Sequence, residues 1–146
     1  MFNFEHSIWI NRTQQEVFDY LSEPTNDQEW RGSSLSAEWI SDPPHGVGST
    51  YTSVGKLMGR NIESTQELTA WDPPNQFGFK GASGPMSFEL TFTFEAQDNG
   101  TKATISVEAQ TGGLFKMAEG LAGKQMEKQV STDIAGLKRV MEGGTK

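Results

Sequence analysis

Apolar and polar residues alternate along most of this chain, which predicts a protein rich in β-strands. Residues 2–10 form the first alternating stretch. Thr13 and Glu16 then have the spacing of a capping box, which predicts the start of a helix that Pro24 ends. A second short helix is expected over 26–30.

The alternation resumes after Ser34 and predicts a series of further strands. It is clearest at 88–94 and 103–109, and the Asp98-Asn99-Gly100 segment between them is typical of a hairpin turn. The other strands are predicted at 35–39, 48–58, 60–71 and around Phe77 and Phe79.

Beyond Gly113 the apolar spacing changes to three or four residues, which predicts a helix of about 28 residues and about 40 Å. The residues at this spacing are Phe115, Ala118, Ala122, Met126, Val130, Ile134, Leu137 and Met141. Such a helix is long enough to cross a whole small domain.

These elements predict a single α+β domain over residues 1–146. Short turns between consecutive strands require an antiparallel arrangement, and only the terminal helix is long enough to cover the apolar face of the sheet. We expect a curved sheet of about seven strands wrapped around that helix, with two short helices after the first strand. A curled sheet is difficult to fill with one straight helix, so an internal cavity is expected.

Small residues place the expected cavity at the front of the final helix. Ala103 and Ala109 belong to the last strand, and the front of the helix carries Ala118, Gly120, Ala122 and Gly123. The cavity is therefore predicted against 115–126. In the alternative interpretation, the facing aromatic residues Phe79, Phe88 and Phe92 fill this space.

Charge and composition indicate which kinds of binding partner are not expected for this chain. The net charge is 12 − 19 = −7 and there is no cysteine, so nucleic acid is not expected as a partner and disulfides are excluded. There is no basic run, no signal peptide and no apolar segment of ~20 residues, so we expect a cytoplasmic protein without stable membrane association. Two histidines without a metal-binding spacing predict neither a metal site nor a cofactor.

The chain resembles the START-like, or SRPBCC, superfamily, and within it the polyketide cyclase/dehydrase and lipid-transport group. The resemblance rests on segments spread over nearly the whole length: Ile8-Trp9-Ile10, 16–22, Trp30, 46–51, Gly59-Arg60, Asp72-Pro73-Pro74, Ser83-Gly84-Pro85, 100–104 and Leu137-Lys138. It implies a helix-grip fold with a deep hydrophobic cavity. It leaves the function open, because members include lipid carriers, hormone receptors, aromatase/cyclases and co-chaperones.

Polar residues that face the expected cavity would select its ligand. Alternation places Arg60, Ser64 and Gln66 on the apolar face of their strand. The guanidinium of Arg60 suits a carboxylate or phosphate on a ligand, while the alternative is a position at the rim, paired with a surface acid such as Asp42. Tyr51 would offer a hydroxyl.

The complete set of predicted ligand-binding residues combines these polar groups with apolar walls, although simple core packing is the favoured interpretation for large aromatic residues such as Trp39 and Tyr51. The set is Trp39, Tyr51, Leu57, Arg60, Ser64, Gln66, Phe79, Phe88, Leu90, Phe92, Phe115, Ala118, Ala122 and Met126.

No catalytic residue is assigned from the sequence. His6 faces inward by alternation but stands alone, which favours a core histidine over a general base, and His45 lies in a turn where we expect it to be solvated. The favoured function is binding or transport of a small hydrophobic ligand, either a lipid or a polyketide-like molecule. The alternatives are a cyclase/dehydratase-like enzyme and a co-chaperone-like interaction module. A monomer and a homodimer both remain open.

Overall fold

A computed structural model describes residues 2–32, 34–57, 60–83, 86–111 and 119–143. The strands are β1 (Phe2–Ile10), β2 (Ser34–Trp39), β3 (Thr50–Leu57), β4 (Arg60–Asp72), β5 (Gln76–Ser83), β6 (Met86–Gln97) and β7 (Gly100–Thr111). The helices are α1 (Gln14–Leu21), α2 (Asp27–Trp30) and α3 (Glu119–Gly143), and a 3-10 turn at Pro24–Asn26 precedes α2.

The strands form one antiparallel sheet in the order β1-β7-β6-β5-β4-β3-β2. Strands β2 to β7 are a meander in which each strand pairs with the next, and β1 pairs with β7 from Phe2↔Ala109 to Ile10↔Thr101. This arrangement confirms the predicted α+β helix-grip architecture, with its two short helices after the first strand and its long C-terminal helix.

Local sequence signals account for the element boundaries. The Thr13 side chain accepts a hydrogen bond from the backbone of Glu16, whose carboxylate accepts one from the backbone of Thr13, so the predicted capping box is formed. Asp98 and Asn99 both have positive φ, at 51° and 64°, which is the geometry of a tight hairpin turn. A register shift between Ser34 and Ser36 interrupts the alternation of β2, and Leu35 is 44% exposed.

An aromatic core lies between α1 and the inner face of the sheet. Phe18 on α1 makes edge-on contacts with Trp71, Phe77 and Phe94 at centroid distances of 5.2, 5.7 and 6.0 Å. Phe77 stacks on Phe92 at 5.2 Å. Such contacts stabilise aromatic pairs beyond their area burial, and Phe18, Phe77, Phe92 and Phe94 are all buried.

The rear of α3 completes the core and is fixed by polar contacts. Ile134 and Leu137 are buried, as the apolar spacing predicted. The buried carboxylate of Asp133 accepts hydrogen bonds from the backbone of Gly32 at 3.0 Å and from Gln129 at 2.8 Å. These bonds tie α3 to the segment between α2 and β2.

Candidate functional site

The predicted ligand-binding residues on β2 to β6 whose side chains are described share the inner face of the sheet. The register links Trp39 to Tyr51, Tyr51 to Gln66, and Phe79 to Leu90 across neighbouring strands. This set is Trp39, Tyr51, Ser64, Gln66, Phe79, Phe88, Leu90 and Phe92. Phe115, Ala118 and the side chains of Leu57, Arg60, Ala122 and Met126 lie outside the described parts, so their predicted roles stay predictions.

Burial divides this inner face into two halves. Phe77, Phe79, Leu90 and Phe92 are buried in the aromatic core. The other half, which we call the open half, consists of Ser53, Ser64, Gly81 and Phe88, and these residues are only half-buried although they belong to the inward-facing rows. The side chains of the open half are therefore more accessible than those of the aromatic core.

Gln66 is the buried polar residue beside the open half. It is 6% exposed, and its amide donates a hydrogen bond to the hydroxyl of Ser64 at 3.2 Å. Its neighbour across the strands is Gly81, where a Cβ would lie 2.9 Å from Cγ of Gln66 and 3.0 Å from Cζ of Phe88. Glycine at this position lets the amide and the aromatic ring approach each other.

A small internal cavity of about 10 Å³ lies between the short helices and the sheet. This volume is close to that of one water-sized probe. Its lining joins apolar residues, among them Leu21 and Phe79, to the polar side chains of Asp27, Arg31 and Tyr51. A cavity of this size with polar groups in its wall has room for one ordered water molecule or one small polar group of a ligand.

Asp27 is the most perturbed acid of this site. It is 9% exposed, and burial raises the pKa of its carboxyl to about 6, an effect that Arg31 opposes and Glu23 reinforces. The nearest guanidinium nitrogen of Arg31 lies 3.8 Å from Oδ2, which is too far for a hydrogen bond. Within the described residues, no side chain or backbone group donates a hydrogen bond to this carboxyl.

Tyr51 faces Asp27 across the cavity and keeps its proton. It is 3% exposed, and burial, with a smaller contribution from the charge of Asp27, raises the pKa of its hydroxyl. Its ring makes edge-on contacts with Trp39 at 5.5 Å and Phe79 at 5.9 Å. The predicted inward orientation of Tyr51 therefore places a neutral phenol in the cavity wall.

Trp39 lies beside Tyr51 on the neighbouring strand. Its indole N–H donates to both carboxylate oxygens of Glu23, at 3.1 and 3.0 Å. His45 stacks on the Trp39 ring at 3.5 Å and is half-buried, so it is less exposed than a fully solvated turn residue. The flat indole face offers the imidazole a contact that turn chemistry alone did not predict.

The sequence did not identify Asp27 and Arg31, and Trp30 entered as one of the residues that carry the family resemblance. Trp30 is 6% exposed, and its indole N–H has no acceptor among the described residues. The one available signal was the four-residue spacing of Asp27 and Arg31. That spacing is equally typical of a solvated ion pair on a helix surface.

His6 faces α3. Its Nε2 atom lies 3.3 Å from a carboxylate oxygen of Glu127 but is not aligned for a hydrogen bond, and both side chains are partly exposed. The two side chains therefore form a close contact between β1 and α3 without a hydrogen bond.

A larger hollow of about 570 Å³ crosses the strands of the sheet. Its lining includes Gln66 and Phe88, but most of it belongs to the opposite, polar face, with Glu67, Glu89 and Glu108 in one row beside Lys80. An apolar ligand would gain little there, because adjacent carboxylates favour water. In the described part of the chain, no three acidic, cysteine or histidine side chains group to hold a metal ion, and no helix has the length and hydropathy to cross a membrane.

A curved seven-stranded sheet closed by a C-terminal helix, with polar groups set into an aromatic interior, defines a helix-grip protein. The chain belongs to the family described as Polyketide cyclase / dehydrase and lipid transport, whose model matches residues 1–142. No protein with a curated description matches the sequence.

Solved structures share this fold at low sequence identity. TTHA0849 from Thermus thermophilus superposes with a TM-score of 0.81 at 17% identity, over 99% of each chain. Ara h 8.0201 gives 0.64 at 14% identity, over 93% of this chain and 97% of its own. The di-domain ARO/CYC BexL from the BE-7585A biosynthetic pathway gives 0.75 at 14% identity, over 95% of this chain and 46% of its own.

Proposed function

We propose that this protein binds a small hydrophobic molecule, a lipid or a polyketide-like compound, against the inner face of its sheet. The observation that carries the proposal is the open half, where Ser53, Ser64, Gly81 and Phe88 are half-buried beside a fully buried aromatic core. An apolar molecule placed there would remove the Phe88 ring from water, which favours binding. The family description and the aromatase/cyclase BexL are consistent with such a ligand.

The test is a titration with the neutral fluorescent probe N-phenyl-1-naphthylamine. We expect saturable binding to the wild-type protein and a rise in the melting temperature with probe concentration, because a ligand that binds only the folded state stabilises it. Ser64→Leu should weaken probe binding about tenfold or more, since the larger side chain would occupy the open half.

Thr65→Leu is the matched control. Thr65 is the next residue of β4 and is exposed on the opposite face, so this variant should bind the probe as the wild type does. Absence of saturable binding, or equal loss in both variants, would refute the proposed site. Native mass spectrometry of the purified protein gives an independent readout, in which a co-purified apolar molecule supports the proposal.

An enzyme of the cyclase/dehydratase kind is a second candidate, and one observation favours it. Asp27 is a buried carboxyl with a pKa of about 6, which suits a general acid–base group near neutral pH. This candidate predicts that the protein converts an aromatic polyketide precursor. Asp27→Asn would then abolish turnover while probe binding persists.

A further inference from the structure

The 10 Å³ cavity is lined by the polar side chains of Asp27 and Tyr51, and we call it the polar recess of the inner face. Tyr51 pairs with Gln66 across β3 and β4, and Gln66 donates to Ser64 in the open half. Gln66 therefore lies between Tyr51 in the recess and Ser64 in the open half, where the apolar body of a ligand is proposed to bind.

We propose that this recess recognises an uncharged hydroxyl group, so that the ligand is a hydroxylated apolar molecule such as a phenol or an alcohol. The inference rests on the proposed function and specifies its ligand. The O–H of the ligand donates to the carboxylate of Asp27, and its oxygen accepts from the hydroxyl of Tyr51.

Size supports this assignment. The cavity admits about one water-sized probe, and a hydroxyl group has nearly the size of a water molecule. A carboxylate or a phosphate carries two or more oxygens around a central atom and exceeds that space. The recess thus fits the smallest polar group that an organic ligand offers.

Charge supports the same assignment. Two charges act on the Asp27 carboxyl: Arg31, directly after α2, lowers its pKa, and Glu23, before the 3-10 turn, raises it. Tyr51 of β3 lines the same cavity. Arg31 is not in hydrogen-bond contact with the Asp27 carboxyl, and Glu23 and Asp27 are both acidic. Among the described residues the Asp27 carboxylate has no hydrogen-bond donor, so it can accept a hydrogen bond from a neutral O–H. A further negative charge beside Asp27 and Glu23 is disfavoured, although the guanidinium of Arg31 also lines the recess.

The experiment measures displacement of N-phenyl-1-naphthylamine at pH 7.5 by 2-naphthol, naphthalene and 2-naphthoate. These competitors share one ring system and differ in carrying a hydroxyl, no polar group or a carboxylate. We expect 2-naphthol to compete about tenfold better than naphthalene, and 2-naphthoate to be the weakest. Asp27→Asn should reduce the preference for 2-naphthol over naphthalene. The double variant with Asp27→Asn and Tyr51→Phe should reduce this preference further.

Asp133→Asn is the matched control, because Asp133 is also a buried aspartate but its carboxylate is satisfied by Gly32 and Gln129. This variant should keep the naphthol preference. Equal competition by naphthol and naphthalene, or a preference for naphthoate, would overturn the inference while leaving hydrophobic binding intact. If the fluorescent probe itself fails to bind, the proposed function fails first.

Discussion

Asp27 shows how one buried side chain couples stability to pH. Burial raises the pKa of its carboxyl from 3.8 to about 6, so the folded protein binds this proton more tightly than the unfolded chain does. The stabilisation from Asp27 is therefore fully present below about pH 4 and is lost as the pH rises through about 6. A difference of this size corresponds to about 3 kcal/mol.

Asp27→Asn removes this titration. We expect the free energy of unfolding of the wild type, relative to the variant, to fall by up to about 3 kcal/mol between pH 4 and pH 7. Urea denaturation at a series of pH values measures the difference. Arg31→Met should move the same window to higher pH, because the guanidinium lowers the pKa of Asp27. A difference that is constant with pH would contradict the buried carboxyl.

Trp39 and Trp30 allow a comparison between an indole N–H that has a hydrogen-bond acceptor and one that has none among the described residues. Trp39 donates to Glu23, whereas the indole N–H of Trp30 is buried without an acceptor among the described residues. We expect Trp39→Phe to cost about 1–2 kcal/mol more in unfolding free energy than Trp30→Phe, because only Trp39 loses a hydrogen bond to a charged group. Chemical denaturation of the two variants in parallel gives the comparison, and equal losses would contradict it.

At the scale of elements, the hairpin between β6 and β7 depends on Gly100. A Cβ at this position would lie 2.6 Å from the carbonyl oxygen of Ile10 and 2.6 Å from Cζ2 of Trp9. The indole N–H of Trp9 is held in turn by the carbonyl of Gln97 at 2.7 Å. The turn, β1 and the Trp9 ring therefore meet at a point where only glycine fits.

We predict that Gly100→Ala lowers the free energy of unfolding by about 2 kcal/mol or more, since the backbone of β1 must move to admit the methyl group. Gly143→Ala is the control, because no described residue beyond its own helix turn comes within 4 Å of a Cβ at that position. Thermal denaturation of both variants provides the test. A stable Gly100→Ala protein would show that β1 and the hairpin are not packed as described.

At the scale of the whole molecule, the sequence predicted the fold more fully than the site. Alternation assigned Tyr51 and Gln66 to the inner face, and the structure places both there. Asp27 was missed because a helix of four residues has no periodicity from which burial is inferred. Its burial follows from the packing of β3 and the short helices, and that packing is a tertiary property.

The pairing of β1 with β7 has a consequence for the order in which the chain folds. Phe2 pairs with Ala109, and Ile10 with Thr101, so the amino-terminal strand joins a partner that the ribosome makes roughly a hundred residues later. Loop closure over this distance is entropically costly and slows folding of β-rich proteins. During synthesis β1 therefore stays unpaired, with a free strand edge, until β7 has been made. Chaperones should capture nascent chains that end before β7 more strongly than chains that include β7.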